Sequence, residues 1–105
     1  MNTKNKKARD HEEALLEELK DIEEAAAYLS AALEENDPNT FLLALKRVAK
    51  AHGISKIAAK STINRQHVYR ALSEEGNPTI KNLLALLTAL HFNLEVKPKR
   101  KAIGG

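Results

Sequence analysis

The sequence predicts an all-α protein in which a helix-turn-helix domain follows an acidic helical extension and precedes one short strand. A chain of 105 residues fits one compact domain. Hydrophobic residues make up 43% of it but aromatic residues only 4%, so its core has to be built from Leu, Ala, Ile and Val. That mixture, with apolar residues recurring three and four positions apart, favours helices over a β-sandwich or a barrel.

The composition also excludes several classes of protein. The chain contains no cysteine, so disulfides and thiolate metal sites are excluded. No apolar run approaches the length of a membrane span, and the first ten residues, MNTKNKKARD, lack the apolar core of a signal peptide. We therefore expect a cytoplasmic protein that has no membrane partner.

The N-terminal part divides into two segments. Residues 1–9 are polar and basic without an apolar period, and we predict that they are disordered. Residues 10–36 are predicted to form an acidic helical extension, because apolar residues recur there at helical spacing, among them Ala14, Leu15, Leu19, Ile22, Ala25, Ala26, Leu29, Ala32 and Leu33. Asp21 can cap a new helix inside this extension, so the pattern allows one long helix or two.

Residues 37–97 are predicted to form the helix-turn-helix domain, in which a capping residue precedes each helix. Asp37 can cap a helix that starts at Pro38 and stops near Gly53. The later N-caps and their helices are Ser55 for Lys56–Ser61, Asn64 for Arg65–Ser73, and Thr79 for a helix that runs through His91. In the last helix the residues expected to face the core are Ile80, Leu83, Leu84, Leu87 and Leu90.

The C-terminal part changes its period. FNLEV, residues 92–96, alternates apolar and polar residues, which predicts a short strand. One strand cannot satisfy its own backbone, so it needs a neighbouring strand, and a second copy of the chain is the natural candidate. We therefore expect a homodimer, followed by a flexible basic tail over residues 98–105.

Charge is distributed unevenly around a net value of +3. Residues 10–37 hold eleven acidic residues and one lysine, whereas residues 38–73 hold no acidic residue and seven basic ones: Lys46, Arg47, Lys50, Lys56, Lys60, Arg65 and Arg70. A stretch of this kind is typical of a polyanion-binding surface, although a solvated basic face has the same composition. Position relative to a motif has to decide between the two.

The stretch IAAKSTINRQHVYRAL, residues 57–72, has the pattern of a helix-turn-helix. The residues predicted to point inward are Ile57, Ala58, Ile63, Val68, Ala71 and Leu72. The residues predicted to read base edges in the DNA major groove, where Arg grips guanine and Gln grips adenine, are Arg65, Gln66, Tyr69 and Arg70. Those predicted to contact phosphates are Ser55, Lys56, Lys60, Asn64, Thr79 and Lys81. The alternative is an ordinary helical hairpin with a charged face.

With these motifs in view, residues 21–97 resemble the HigA-type addiction-module antidotes, which are DNA-binding prophage proteins with a Cro/C1-type helix-turn-helix. The segments that carry the resemblance are AAAYLSAALEENDP, YRALSEEGNPT and LLALLTAL. The resemblance implies an antitoxin of a type II toxin–antitoxin system, which binds operator DNA as a dimer, represses its own promoter and neutralises a RelE-like mRNA-cleaving toxin. The chain departs from the family at Thr62, where glycine is usual, and a positive φ would cost a threonine there about 1 kcal/mol.

Nothing in the sequence predicts catalysis, a metal or a cofactor. The four histidines are far apart and lack the spacing of a metal site, and no GxSxG, P-loop or GxGxxG motif occurs. Two other interpretations stay open, namely a stand-alone prophage transcriptional regulator and a protein-interaction module that no longer binds DNA. The acidic extension, likewise, either binds the toxin or only packs on the core.

Overall fold

The computed structural model describes the backbone of residues 3–99 and the side chains of residues 7–99, and this part of the protein is all-α. Its helices are α1 (Thr3–Leu19), α2 (Ile22–Glu34), α3 (Pro38–His52), α4 (Ile54–Lys60), α5 (Arg65–Ala71) and α6 (Ile80–Ala89). Their buried side chains form one hydrophobic core. In the range described, no helix combines the length and the apolar character that a membrane crossing needs.

Asp21 divides the acidic extension into two helices. Its carboxylate accepts hydrogen bonds from the backbone N–H groups two and three residues further on, at 2.8 and 3.2 Å, and so caps α2. Helix α1 begins at Thr3, so residues 3–9 are helical, in contrast to the disordered segment that the sequence predicted. No glycine or proline interrupts this stretch, and a helix that has nucleated further along extends through it. Residues 1–2 lie outside the described residues.

Helix α3 is the centre of the fold and contacts α1, α2 and α4. As predicted, Asp37 caps it and Pro38 occupies its first position, while Gly53 ends it with a φ of +97°. The residues of α3 that are buried are Phe41, Ala44, Leu45, Val48 and Ala49. Because three helices contact α3, the positions of the other elements depend on it.

Two polar contacts join α3 to the acidic extension. Arg47 Nη1 donates a hydrogen bond to the Tyr28 hydroxyl on α2, at 3.0 Å. His52 Nε2 donates to the backbone carbonyl of Leu19, at the end of α1, at 2.8 Å. Both contacts are partly buried, so they fix how the two N-terminal helices dock on α3.

A short turn over residues 61–64 connects α4 to α5. Ser61 Oγ accepts a hydrogen bond from the Ile63 N–H at 3.1 Å. Asn64 caps α5, as predicted, by accepting from the Gln66 N–H at 2.7 Å. The positive φ angles of the described residues are at Asn36, Gly53 and His91. Thr62 therefore has an ordinary backbone conformation, and the missing glycine causes no strain.

The cap predicted at Ser55 is wrong. Helix α4 starts one residue before it, at Ile54, and its N-cap is Gly53, which offers no side chain for a capping bond. The positive φ of Gly53 makes the connection between α3 and α4 so short that Ser55 already lies in the first turn of α4.

Three of the five residues predicted to face the core in α6 do so, since Leu87 and Leu90 are buried and Leu83 packs against the core. Thr79 caps the helix as expected, but Ile80 and Leu84 are 72% and 44% exposed. The side chains at its C-terminal end that are buried are Leu86, Leu87, Ala89 and Leu90. Apolar residues surround this helix on nearly all sides, so their spacing alone could not select the inner face.

The segment after α6 contains no strand within the described residues, so the prediction of one is wrong for the single chain. His91, with a φ of +69°, ends α6, and the Phe92 N–H donates to the Leu87 carbonyl at 2.8 Å. Phe92 then packs against the core. A strand needs a hydrogen-bonded neighbour, which one chain does not offer here. Residues 98–99 of the predicted tail have no regular structure, and residues 100–105 lie outside the described residues.

The central role of α3 predicts the effect of truncating Leu45. Leu45→Ala should lower the free energy of unfolding by about 2–5 kcal/mol, because it removes fully buried methyl groups and leaves a cavity. Leu43→Ala is the matched control, since Leu43 is on the same helix but half exposed, and it should cost about 1 kcal/mol or less. Urea denaturation measures both, and equal losses would contradict the packing described.

Candidate nucleic-acid interface

Helix α5 presents all four predicted base-reading residues to solvent. Its inner side is formed by Val68 and Ala71, which are buried. The exposed side chains on the rest of the helix are Arg65, Gln66, His67, Tyr69 and Arg70. Gln66 and Arg70 are one turn apart and lie opposite the buried side, so a partner that meets α5 here meets them first.

Arg65 and Tyr69 form a pair on this surface. The Arg65 guanidinium lies over the Tyr69 ring, 5.6 Å from its centroid, and Tyr69 is 41% exposed. The cation–π contact contributes about 0.5–1 kcal/mol at an exposed site and restricts the rotamers of the arginine. Among the residues whose side chains the structure describes, no carboxylate pairs with this guanidinium, so its hydrogen-bond donors can bind a ligand.

The predicted phosphate-binding residues on α4 are exposed. Lys56 and Lys60 are one turn apart, and both point away from the buried Ile57 and Ala58. Ser55 is exposed beside Lys56. Neither α4 nor α5 contains an acidic residue, so the surface that they share carries only positive charge.

The other predicted phosphate contacts are at helix starts. The Asn64 Oδ1 atom and the Thr79 Oγ1 atom are occupied as caps, the latter accepting from the Asn82 N–H at 3.2 Å. Lys81 is exposed in the first turn of α6.

Two grooves divide these residues. Thr79 lines a groove of about 490 Å³ together with His67 and Arg70, so the structure brings a predicted phosphate contact next to a predicted base-reading residue. Lys60 instead lines a second groove, with Thr62 and Leu84. The predicted residues therefore flank α5 from two sides rather than forming one cluster.

The basic residues of α3 do not belong to this surface. Lys46 and Arg47 hydrogen-bond to partners within the chain, and Lys50 Nζ lies 3.3 Å from Glu12 Oε1 on α1. The seven basic residues of the stretch without acidic residues are thus split. Three contact partners within the chain, with Lys50 still 59% exposed, and the other four are exposed on α4 and α5. The sequence pattern did not reveal this split, because the partners are 19 to 38 residues away.

Metal chemistry has no visible basis in the part of the chain that the structure describes. No group of three or more His, Asp or Glu side chains there is arranged to hold an ion.

Comparison with known proteins identifies the family. Residues 11–98 match the family model described as probable addiction module antidote protein. The chain belongs to this antidote family. It is also similar to an uncharacterized protein of Haemophilus influenzae, with 36% identity over 86 residues, which covers 82% of this chain and 89% of the relative. No solved structure matches it.

An addiction-module antidote implies a toxin as its partner. Family membership therefore assigns the antidote at least one protein ligand, and the described geometry has to provide a surface for it. The surface on α4 and α5 carries positive charge, whereas α1 and α2 carry eight of the ten acidic residues in the extension over residues 10–36. The acidic residues are thus on other helices than the basic surface of α4 and α5, and α1 also carries four basic residues in its N-terminal part.

The capping bond of Asn64 generates a prediction for α5. Asn64→Ala should lower the free energy of unfolding by about 1 kcal/mol, because the Gln66 N–H loses its acceptor. Asn64→Ser is the control and should restore most of that loss, since serine caps nearly as well. Thermal denaturation of the three proteins measures it. A serine variant as unstable as the alanine variant would contradict the capping role.

Proposed function

We propose that this antidote is the antitoxin of a type II toxin–antitoxin module, of the HigA type, and that α4 and α5 form a Cro/C1-like helix-turn-helix. In this proposal it binds its own operator DNA as a homodimer, represses its promoter in the cytoplasm, and neutralises a RelE-like mRNA-cleaving toxin. It is neither an enzyme nor a cofactor-binding protein.

The observation that carries the DNA-binding part is the exposed surface of α5. An α-helix fits the major groove, and the exposed residues of α5 include the two side-chain types that make bidentate contacts with guanine and adenine. The cation–π contact with Tyr69 holds the Arg65 guanidinium at the start of the helix, where base contacts of this motif are usually made.

Phosphate contacts then fix the orientation of α5. Lys56 and Lys60 on α4, and Lys81 at the start of α6, are exposed on the elements that border it. Cations in these positions add affinity that does not depend on sequence and that decreases with salt.

A dimer is supported by the segment after α6. In the described range, no backbone hydrogen bond joins residues 93–99 to another segment. Val96 is 94% exposed, and Leu94 is also exposed, so the alternating segment has an uncovered apolar side. Pairing with the same segment of a second copy satisfies both the backbone and these side chains.

The acidic extension is the surface that we assign to the toxin. Helices α1 and α2 dock on α3 through buried residues such as Leu19, Ala25 and Leu29, and their acidic side chains stay exposed. An RNA-cleaving enzyme needs a positively charged substrate surface, and an acidic partner is complementary to it. A regulator without a toxin is less consistent with membership of an antidote family.

Two substitutions test the DNA-binding proposal. Arg65→Ala should reduce discrimination between operator and unrelated DNA by about 1–3 kcal/mol, because it removes a base contact. Lys60→Ala should weaken binding to all sequences alike and reduce the salt dependence by about one phosphate contact. Fluorescence anisotropy on both duplexes measures this. If neither variant changes DNA affinity, the antidote acts as a protein-interaction module and α5 is not the DNA-binding surface.

A third substitution tests the dimer. Val96→Asp should convert a dimer to a monomer, because it places a charge on the apolar side of the pairing segment. Val96→Thr is the control, since it keeps the β-branched shape and should stay dimeric. Sedimentation velocity distinguishes the two states, and a dimeric aspartate variant would exclude this segment as the interface.

A further inference from the structure

Lys46 on α3 reaches the loop that follows α5. Its Nζ donates hydrogen bonds to the backbone carbonyls of Glu74, at 3.1 Å, and of Gly76, at 2.9 Å. An ammonium has three donors, so this contact uses two of them on a loop 28 and 30 residues away in sequence. Nothing in the local pattern around Lys46 predicts the contact.

The loop is itself in close contact with the end of α5. The Gly76 N–H donates to the Ser73 carbonyl at 2.9 Å, and Ser73 Oγ donates to the Arg70 carbonyl at 2.7 Å. A Cβ atom at Gly76 would overlap the carbonyl oxygens of Arg70 and Ala71, so only glycine permits this approach. Whatever holds the loop therefore also holds the last turn of α5.

Helix α5 has no direct backbone contact with α3. The helices whose backbones it approaches are α4 and α6. Lys46 donates the two hydrogen bonds that connect α3 to the segment between α4 and α6, within the described residues. The orientation of α5 relative to the central helix thus depends on the packing of α4 and α6 and on the Lys46 contact.

We propose that Lys46 is a positioning residue for DNA recognition: by fixing the loop at residues 73–77 it sets the angle of α5, and so the placement of Gln66 and Arg70. This inference rests on the proposed DNA binding and adds a specificity-determining residue to it. Lys46 does not touch the DNA in this scheme and acts only through the loop.

A direct contact between Lys46 and a phosphate is disfavoured by its surroundings. Lys46 is half-buried in a groove between α1, α3 and the loop. The acidic residues that line the same groove are Glu12, Glu74 and Glu75. A phosphate there would meet three carboxylates and an ammonium that already uses two of its three donors on the loop.

The test compares Lys46→Met, which removes the donors but keeps the length of the side chain, with Lys46→Arg, which restores a donor. Lys50→Met is the matched control, because Lys50 is one turn further along α3 and its partner is Glu12 on α1. Each protein is titrated on duplex from upstream of its own gene and on a scrambled duplex, across a salt series. Amide hydrogen exchange of Gly76 and thermal denaturation are measured without DNA.

We expect Lys46→Met to lose about tenfold in affinity for the upstream duplex, which corresponds to one impaired base contact. Affinity for the scrambled duplex and the salt dependence should not change, and the Gly76 amide should exchange faster. The arginine variant should recover most of the lost affinity, and Lys50→Met should match the unchanged protein.

Several results would overturn the inference. An equal loss on both duplexes, with a smaller salt dependence, would make Lys46 a phosphate contact. If affinity for both duplexes decreases in proportion to the fraction of unfolded protein, Lys46 is a purely structural residue. If affinity for neither duplex decreases, Lys46 has no role in binding. If the unchanged protein itself shows no preference for the upstream duplex, the DNA-binding proposal fails first, and the positioning role fails with it.

Discussion

The structure depends on one constraint, the burial of the inner face of α3. Leu45, Val48 and Ala49 are fully inaccessible to solvent because α1, α2 and α4 pack around them. In a chain with few aromatic residues, this aliphatic packing has to supply most of the stability. It also fixes where the acidic extension and the α4–α5 pair lie, since each of them docks on α3 rather than on the other.

The charged residues also differ between the acidic extension and the α4–α5 pair. Most acidic residues of the extension are exposed on α1 and α2, and the basic residues of α4 and α5 are exposed as well. The basic residues of α3 instead contact other parts of the chain. An antidote built in this way has room for a protein ligand and a polyanion on different helices. In the proposed function, toxin and operator therefore need not compete for the same side chains.

The sequence correctly predicted the helix starts that depend on one or two neighbouring residues. Four of its N-caps are observed, at Asp21, Asp37, Asn64 and Thr79. The inner face of α6 was predicted only in part, because Ile80 and Leu84 are exposed but have the same apolar character as the leucines that are buried. The contact of Lys46 with a loop distant in sequence cannot be derived from spacing alone. The alternating pattern of residues 92–96 predicted a strand that the single chain does not form, because a strand needs a hydrogen-bonded neighbour that spacing does not supply.

The most direct test of the central claim is fluorescence anisotropy of the unmodified protein on duplex from upstream of its own gene, against a scrambled duplex of equal composition. If α5 reads bases, the two affinities should differ by about 10³-fold or more, and both should decrease steeply as salt is raised. Weak binding of equal strength to both duplexes would contradict base reading by α5 and leave the toxin as the antidote's one specific ligand.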